Sequence, residues 1–414
     1  MKKSLLAVAA IGAFASAAQA QSSVTVYGIL DVGYSGVSSR APAGTAAVQG
    51  NGPATVKTNT NQFSQSAETS SRIGFKGTED LGGGSSAFFT AEFGLQPENT
   101  TWAPNNRQTF VGLKKNGIGQ ASIGTQYTAL WLNALNPTDP GAANNVAGSI
   151  IRPVGVTTAT DGQGAASTAV TILTTNSLYA ETARMAGFRL AANYVQNASD
   201  ITQRTQAAVA QSAGTLGSTA TTVGGSNNFS GASISADYTW QKLLVAAAYS
   251  NFKQEQIQGA AASFTAAGAF PSTPVTVSST TNTGDTQYYG GATYDFGILK
   301  AYANYVNRKI TSATNSNQYL KRTGQQIGVR SYITPTIEAW ASAGVGRYQA
   351  FGVGEPTANI TAYQLGTNYY LSKRTNLYGI FGHSQTSSVN GGTVVGAQAG
   401  SAISQYALGV RHTF

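Results

Sequence analysis

From Val24 onward the apolar residues recur at every second position rather than every third or fourth. In VTVYGILDVGY one face carries Val24, Val26, Gly28, Leu30, Val32 and Tyr34, and the other Thr25, Tyr27, Ile29, Asp31 and Gly33. A period of two marks a strand whose two faces meet different surroundings. The same texture runs to the C-terminus. Ala87, Phe89, Ala91 and Phe93 oppose Ser86, Phe88, Thr90 and Glu92, and Phe188, Leu190, Ala192 and Tyr194 oppose Arg189, Ala191 and Asn193. Ala232, Ile234, Ala236 and Tyr238 oppose Ser233, Ser235 and Asp237, while Leu299, Ala301, Ala303 and Tyr305 oppose Lys300, Asn304 and Arg308. Tyr406, Leu408, Val410 and Phe414 oppose Ala407, Gly409, Arg411 and Thr413. Charges collect on the second face.

The connections fall into two alternating classes. Short turns lie at 78–84, 116–119, 182–187, 240–242, 296–298, 334–336 and 372–374. Longer polar segments lie at about 35–71, 96–106, 125–175, 196–228, 254–284, 311–320, 352–359 and 384–404. Seven short and eight long connections predict sixteen strands. Strict alternation, an even strand count and apolar-out, polar-in strands describe an all-β, 16-stranded antiparallel transmembrane β-barrel. Closure leaves no backbone group unpaired in lipid. Tyr34, Tyr238, Tyr249, Tyr305 and Phe414 stand at or near strand ends on the apolar face, where aromatic girdles sit. The competing architecture, a soluble secreted β-sandwich or solenoid, would carry more charge on its outer faces.

Composition sharpens this picture. Only 10% of the 414 residues are charged, and 48 glycines and 20 tyrosines accompany abundant Ala, Ser, Thr and Asn. An average soluble chain has about 25% charged residues. The first twenty residues have basic Lys2 and Lys3, an apolar run from Leu5 and Ala18-Gln19-Ala20, which predicts a secretory signal peptide over 1–20 and a barrel over 21–414. Cysteine is absent, which removes disulfides, thiol nucleophiles and thiolate metal sites. The net charge of +9 is scattered, with no basic run to suit nucleic acid; it favours small anions or acidic lipid headgroups.

A sixteen-stranded wall is wide enough for an aqueous channel, so a constriction decides what passes. The segment from Thr125 to Thr175, long and poor in apolar residues, is the candidate for a loop folded into the lumen. Its carboxylates Asp139 and Asp161 are expected to face inward-parity wall residues Arg72, Lys76, Arg189 and Arg411 across a transverse field. Asp139 lies in NPTDPG, and capping that turn is its alternative role.

Several blocks carry a resemblance. QSSVTVYGILDVGY, SSRIGFKGTEDLGGG, NRQTFVGL, GTQYT and the terminal YALGVRHTF together make the chain resemble, over essentially its whole length, the Gram-negative general porins of the β-proteobacterial and neisserial type. The resemblance implies homotrimers of sixteen-stranded barrels, an infolded third extracellular loop, and passive diffusion of small ions and hydrophilic solutes. It matches Arg72 and Lys76 to inward basic residues of the second strand, and Glu92 to the acidic residue closing the third. It makes Tyr406, Leu408, Val410 and Phe414 the signal read by the outer-membrane barrel assembly machinery, in a membrane of lipid and lipopolysaccharide. Two positions depart from the pattern. Thr125 and Tyr179 stand where many relatives carry basic residues, which thins the basic cluster.

His383 and His412 are far apart, and no HExxH, CxxC, GxSxG or P-loop pattern occurs, so neither an enzyme nor a cofactor is expected. A surface adhesin or receptor and a substrate-specific channel are the other functions the pattern accommodates. The first would place function in the loops, the second in an aromatic ladder along the passage.

Overall fold

A computed structural model of the chain describes residues 23–42, 55–100, 104–153, 172–201, 225–256, 283–312, 316–351, 355, 357–388 and 400–414. The expected signal peptide and Asp161 lie outside the described residues. Seventeen strand segments form one antiparallel sheet: β1 Ser23–Pro42, β2 Thr55–Gln65, β3 Arg72–Gly82, β4 Ser85–Gly94, β5 Asn105–Lys115, β6 Gly119–Tyr127, β7 Leu173–Thr182, β8 Phe188–Ile201, β9 Gly225–Trp240, β10 Leu243–Gln256, β11 Thr283–Asp295, β12 Lys300–Ser312, β13 Tyr319–Thr334, β14 Ile337–Ala350, β15 Thr357–Tyr370, β16 Thr375–Thr386 and β17 Ala402–Thr413.

Each segment pairs with its chain neighbours, except that β2 and β3 both pair with β1 and not with each other, and β17 pairs back on β1, from Ile29 opposite Thr413 to Arg40 opposite Ala402. Gly28 and Phe414 exchange reciprocal backbone hydrogen bonds of 3.1 Å at the end of this seam. The sheet is therefore a closed barrel, which abolishes edges. β2 pairs with the upper part of β1, from Val32 to Pro42, and β3 with the lower part, from Ser23 to Ile29. The two are one wall strand interrupted at 66–71, so seventeen segments make sixteen wall strands.

The alternation has the expected sense. Val24, Val26, Val32, Leu190, Ile234, Ile327, Leu365 and Leu408 are exposed on the outer face, while Asp31, Glu92, Asn193, Asp237, Gln326 and Gln364 are buried on the inner one. A water-facing outer surface would reverse this economy; a lipid-facing one requires it. Outer-face aromatics gather near the short turns, as Phe188, Trp240, Tyr294, Phe296, Tyr332 and Tyr369, and again further along, as Tyr34, Tyr249, Tyr288, Tyr305 and Tyr363. Two aromatic levels are what the two interfaces of a bilayer call for.

The strands outrun the sequence pattern at their far ends. Residues 35–71, expected as a connection, include the upper half of β1 and all of β2, and β8, β9 and β10 likewise extend into segments expected to be loop. TVKTNTNQFSQ of β2 is polar on both faces and nearly all exposed. Beyond the apolar belt both faces meet water, so ladder hydrogen bonds continue without any alternation to announce them.

The interruption of β2–β3 is braced by Asp31, which is fully buried. Its carboxylate accepts from Glu68 N at 2.9 Å, Thr69 N at 2.6 Å and the Tyr378 hydroxyl at 2.6 Å. Ser66, at φ 63°, donates its backbone N–H to Asp31 O. Backbone groups that a continuous ladder would have paired are thus satisfied by a side chain.

Candidate functional site

After β6 the chain turns through a π-wound helical stretch, Leu130–Leu135, and one α-turn, Asn136–Thr138. It then runs irregularly to Pro153 along the polar face of the wall. The expectation of little apolar content fails here: Leu130, Trp131, Leu135, Val146, Ile150 and Ile151 are all buried. Leu130, Leu135 and Ile151 pack with Ala246, Ala248, Tyr289 and Val306, and Ile150 packs with Ile310, Leu320, Tyr348 and Ile360. Each such side chain removed from water contributes about 1.5–3 kcal/mol. Short wall residues make the seats: a Cβ added at Gly291, Gly328 or Gly344 would collide with Thr138, Pro140 or Ile150.

Polar wall residues fix the segment in sequence. Asn193 Oδ1 accepts from Ala129 N at 2.9 Å, and the Thr138 and Tyr289 hydroxyls lie 2.6 Å apart. Arg330 donates to Pro140 O at 2.8 and 3.1 Å, and Gln364 donates to Val146 O and Ala147 O at 2.6 and 2.8 Å. Gln326 Oε1 accepts from Ile150 N at 3.0 Å, and Arg322 donates to Ile150 O at 2.7 Å. Asn145 donates to Ser66 O and Ala67 O, which ties the segment to the break in β2–β3.

Asp139 does not face an opposite wall. Its carboxylate accepts from Gly141 N and Ala143 N at 3.1 Å each, so it caps the turn in which it lies. Burial pushes its carboxyl above the usual range, with the Arg152 charge pulling it back. Burial likewise lowers Arg152, whose guanidinium lies 5.8 Å from the Trp131 ring centre.

A second charged group belongs to the wall itself. Glu92, nearly fully buried, accepts from Tyr27 at 3.1 Å and pairs with Arg107 at 2.8 Å and Arg72 at 3.5 Å. Arg107 also donates to the Tyr127 hydroxyl at 2.7 Å. Lys76 holds its Nζ 5.3 Å over the Tyr27 ring and forms no ion pair among the described residues. Arg411, on the other side of β1, pairs with Glu68 at 3.4 Å. Arg411, Arg72, Arg107 and Lys76 therefore form a basic arc over β17, β3 and β5, in which only Lys76 lacks a carboxylate. Arg189 stands apart, on β8, bound to Asp237 at 2.8 Å and to Glu181 at 3.8 Å. Thr125 pairs with Thr109 in the β5–β6 ladder, and the Tyr179 hydroxyl donates to Glu181 at 2.8 Å.

Arg107 was not legible as a wall charge. Counting alternate residues from inward Phe110 and Gly112 places it on the lipid face. The ladder explains its turn: Ala91 pairs with Thr109 and Phe93 with Asn106, so Arg107 and Gln108 together oppose Glu92. One extra residue in a strand re-aims the side chains around it. At the terminus, Tyr406, Leu408, Val410 and Phe414 lie exposed on the outer face.

Known proteins place this architecture. An outer membrane porin protein of Bordetella pertussis is 34% identical over 151 residues, which cover 34% of this chain and 38% of that protein. The major outer membrane protein P.IB of Neisseria meningitidis serogroup B is 36% identical over 140 residues, with the same 34% and 38% coverage. The matched stretch thus spans less than two fifths of these relatives' length. Among solved structures, an anion-selective porin from Comamonas acidovorans superposes with a TM-score of 0.62 at 20% identity, covering 95% of this chain and 100% of that one. The trimer form of OmpT of Vibrio cholerae superposes at 0.56 with 13% identity, over 95% and 99%. These likenesses show the fold. A family model described as Gram-negative porin matches residues 7–388. With its closed wall and lipid-facing belt, the chain belongs to the Gram-negative porin family of the outer membrane.

Proposed function

We propose that the protein is a general diffusion pore for ions and small hydrophilic solutes, assembled as a homotrimer. The observation that carries this is the inner face of the closed wall, which the 128–153 segment covers along β7 to β17 while its contacts leave β3 to β6 uncovered. On this reading the segment is the infolded third loop. Solutes pass between it and the arc of Arg72, Lys76, Glu92 and Arg107, with Asp139 and Arg189 outside the narrowest part. Because Glu92 and Glu68 pair with three of the four cations and cancel two of the four positive charges, the field favours anions only mildly. The lipid-facing residues of the last strand serve as the assembly signal, and the membrane around the wall supplies lipid and lipopolysaccharide contacts. The reading is of a channel rather than a catalyst.

The test is a planar bilayer. Ohmic steps in KCl, closing in threes, and a small zero-current potential of anion-selective sign are expected. A folded barrel without conductance would move function to the surface loops. Glu92→Gln releases Arg72 and Arg107 from their counter-charge while keeping an acceptor for Tyr27. A change of about 1 kcal/mol in the local field corresponds to a roughly fivefold rise in the chloride-to-potassium permeability ratio. An unchanged zero-current potential would place the arc away from the ion path.

A further inference from the structure

Phe88 and Phe110 occupy inward positions of β4 and β5, in the part of the wall that the 128–153 segment leaves uncovered. Thr90 is paired with both Lys76 and Phe110, and Phe88 is paired with both Thr78 and Gly112. The two rings meet edge to face at 6.2 Å, and both are only half-buried. Gly112 makes room for this: a Cβ there would stand 2.5 Å from the tip of the Phe88 ring. A channel that only passes water and salt has no use for a phenylalanine shelf, since apolar surface facing water is unfavourable.

Phe88, with Phe110 packed behind it, lines a cavity of about 370 Å³ whose walls also include Thr25, Lys76, Thr78, Thr90 and Lys114. Lys76 flanks it on the side of the arginine arc and Lys114 on the side of the short turns. Neither lysine has an ion pair among the described residues. Two carboxylates stand near: Asp80 is bound to the backbone of Gly82, and Glu181 to Gln120, Tyr179 and Arg189. Apolar ring surface with a few convergent polar groups and unbalanced positive charge is the make-up of a small-molecule site.

Resting on the pore reading, we propose that this recess is a binding subsite for small aromatic carboxylates on their way through the lumen. The ring of the solute stacks on Phe88, its carboxylate meets Lys76 or Lys114, and the threonine hydroxyls replace lost water.

The experiment uses benzoate, acetate and benzyl alcohol on the intact protein in a planar bilayer. Benzoate is expected to produce concentration-dependent interruptions of the KCl current, with acetate much weaker. Phe88→Ala should weaken the benzoate effect roughly three- to tenfold, the range of one aromatic contact. Lys114→Gln should weaken benzoate and leave benzyl alcohol unchanged. If Phe88→Ala yields no channels, Phe88→Leu, which keeps the bulk and loses the ring, is measured instead. Equal effects of benzoate and acetate, or a Phe88 variant with full benzoate response, would overturn the subsite. Absence of KCl conductance in the unaltered protein would overturn the pore reading itself, so the two failures are distinct.

Discussion

Asp31→Ala is expected to lower the temperature at which the folded barrel converts to the unfolded form on SDS gels by roughly 10 °C. Asp31 accepts three hydrogen bonds in a fully buried position, from Glu68 N, Thr69 N and the Tyr378 hydroxyl. Alanine leaves all three donors without an acceptor, and each such orphan costs about 1–3 kcal/mol. The backbone at 66–71 then has no brace, and its tie to Asn145 loosens with it. Asp31→Asn keeps one oxygen and is expected to lose about half as much. A variant as heat-resistant as the parent would show that the interruption holds itself.

Gly382→Leu should lower single-channel conductance and add flicker without unfolding the wall. Gly382 lies on the inner face of β16, and a Cβ there would overlap the Ala147 carbonyl oxygen that Gln364 now binds. Neither backbone can yield freely, because Gly382 is paired with both Gln364 and Gln405 in the ladders. Overpacking of this kind costs about 1–3 kcal/mol, and the loop segment, held by side chains rather than a ladder, is the part that moves. Gly379→Ala, on the outer face of the same strand where a Cβ meets nothing nearer than Leu408 at 3.2 Å, is the control and should leave conductance unchanged. Parental conductance in Gly382→Leu would mean that the segment does not set the width of the passage.

Most of the wall was legible because a two-sided environment writes itself into alternate residues. The strand count, the short-turn rim and the inward position of Arg72, Lys76 and Glu92 follow from parity alone. What parity cannot register is any place where the backbone breaks step. The extra residue at Arg107–Gln108 turned an arginine inward unannounced, and the break after Gln65 split one strand into two. The anchors of the loop escape parity for a different reason. Leu130, Trp131, Ile150 and Ile151 stand in two short apolar runs of a segment that is otherwise polar or small, and the glycines that seat Thr138, Pro140 and Ile150 lie 153 or more residues away in the chain. Nothing local distinguishes a glycine that makes room from one that makes a turn.

The seam between β1 and β17 has a consequence for how the molecule comes into being. Its partners, Ile29 with Thr413 and Gly28 with Phe414, come from opposite ends of the chain. Contacts of such separation form slowly, because the entropy of closing the ring is lost before any seam bond is gained. Until the last strand arrives, the first and its neighbour on the far side offer unpaired edges that would recruit other chains. The nascent protein must therefore be kept from folding until translation has ended, and closure is then a single late event rather than a progressive one.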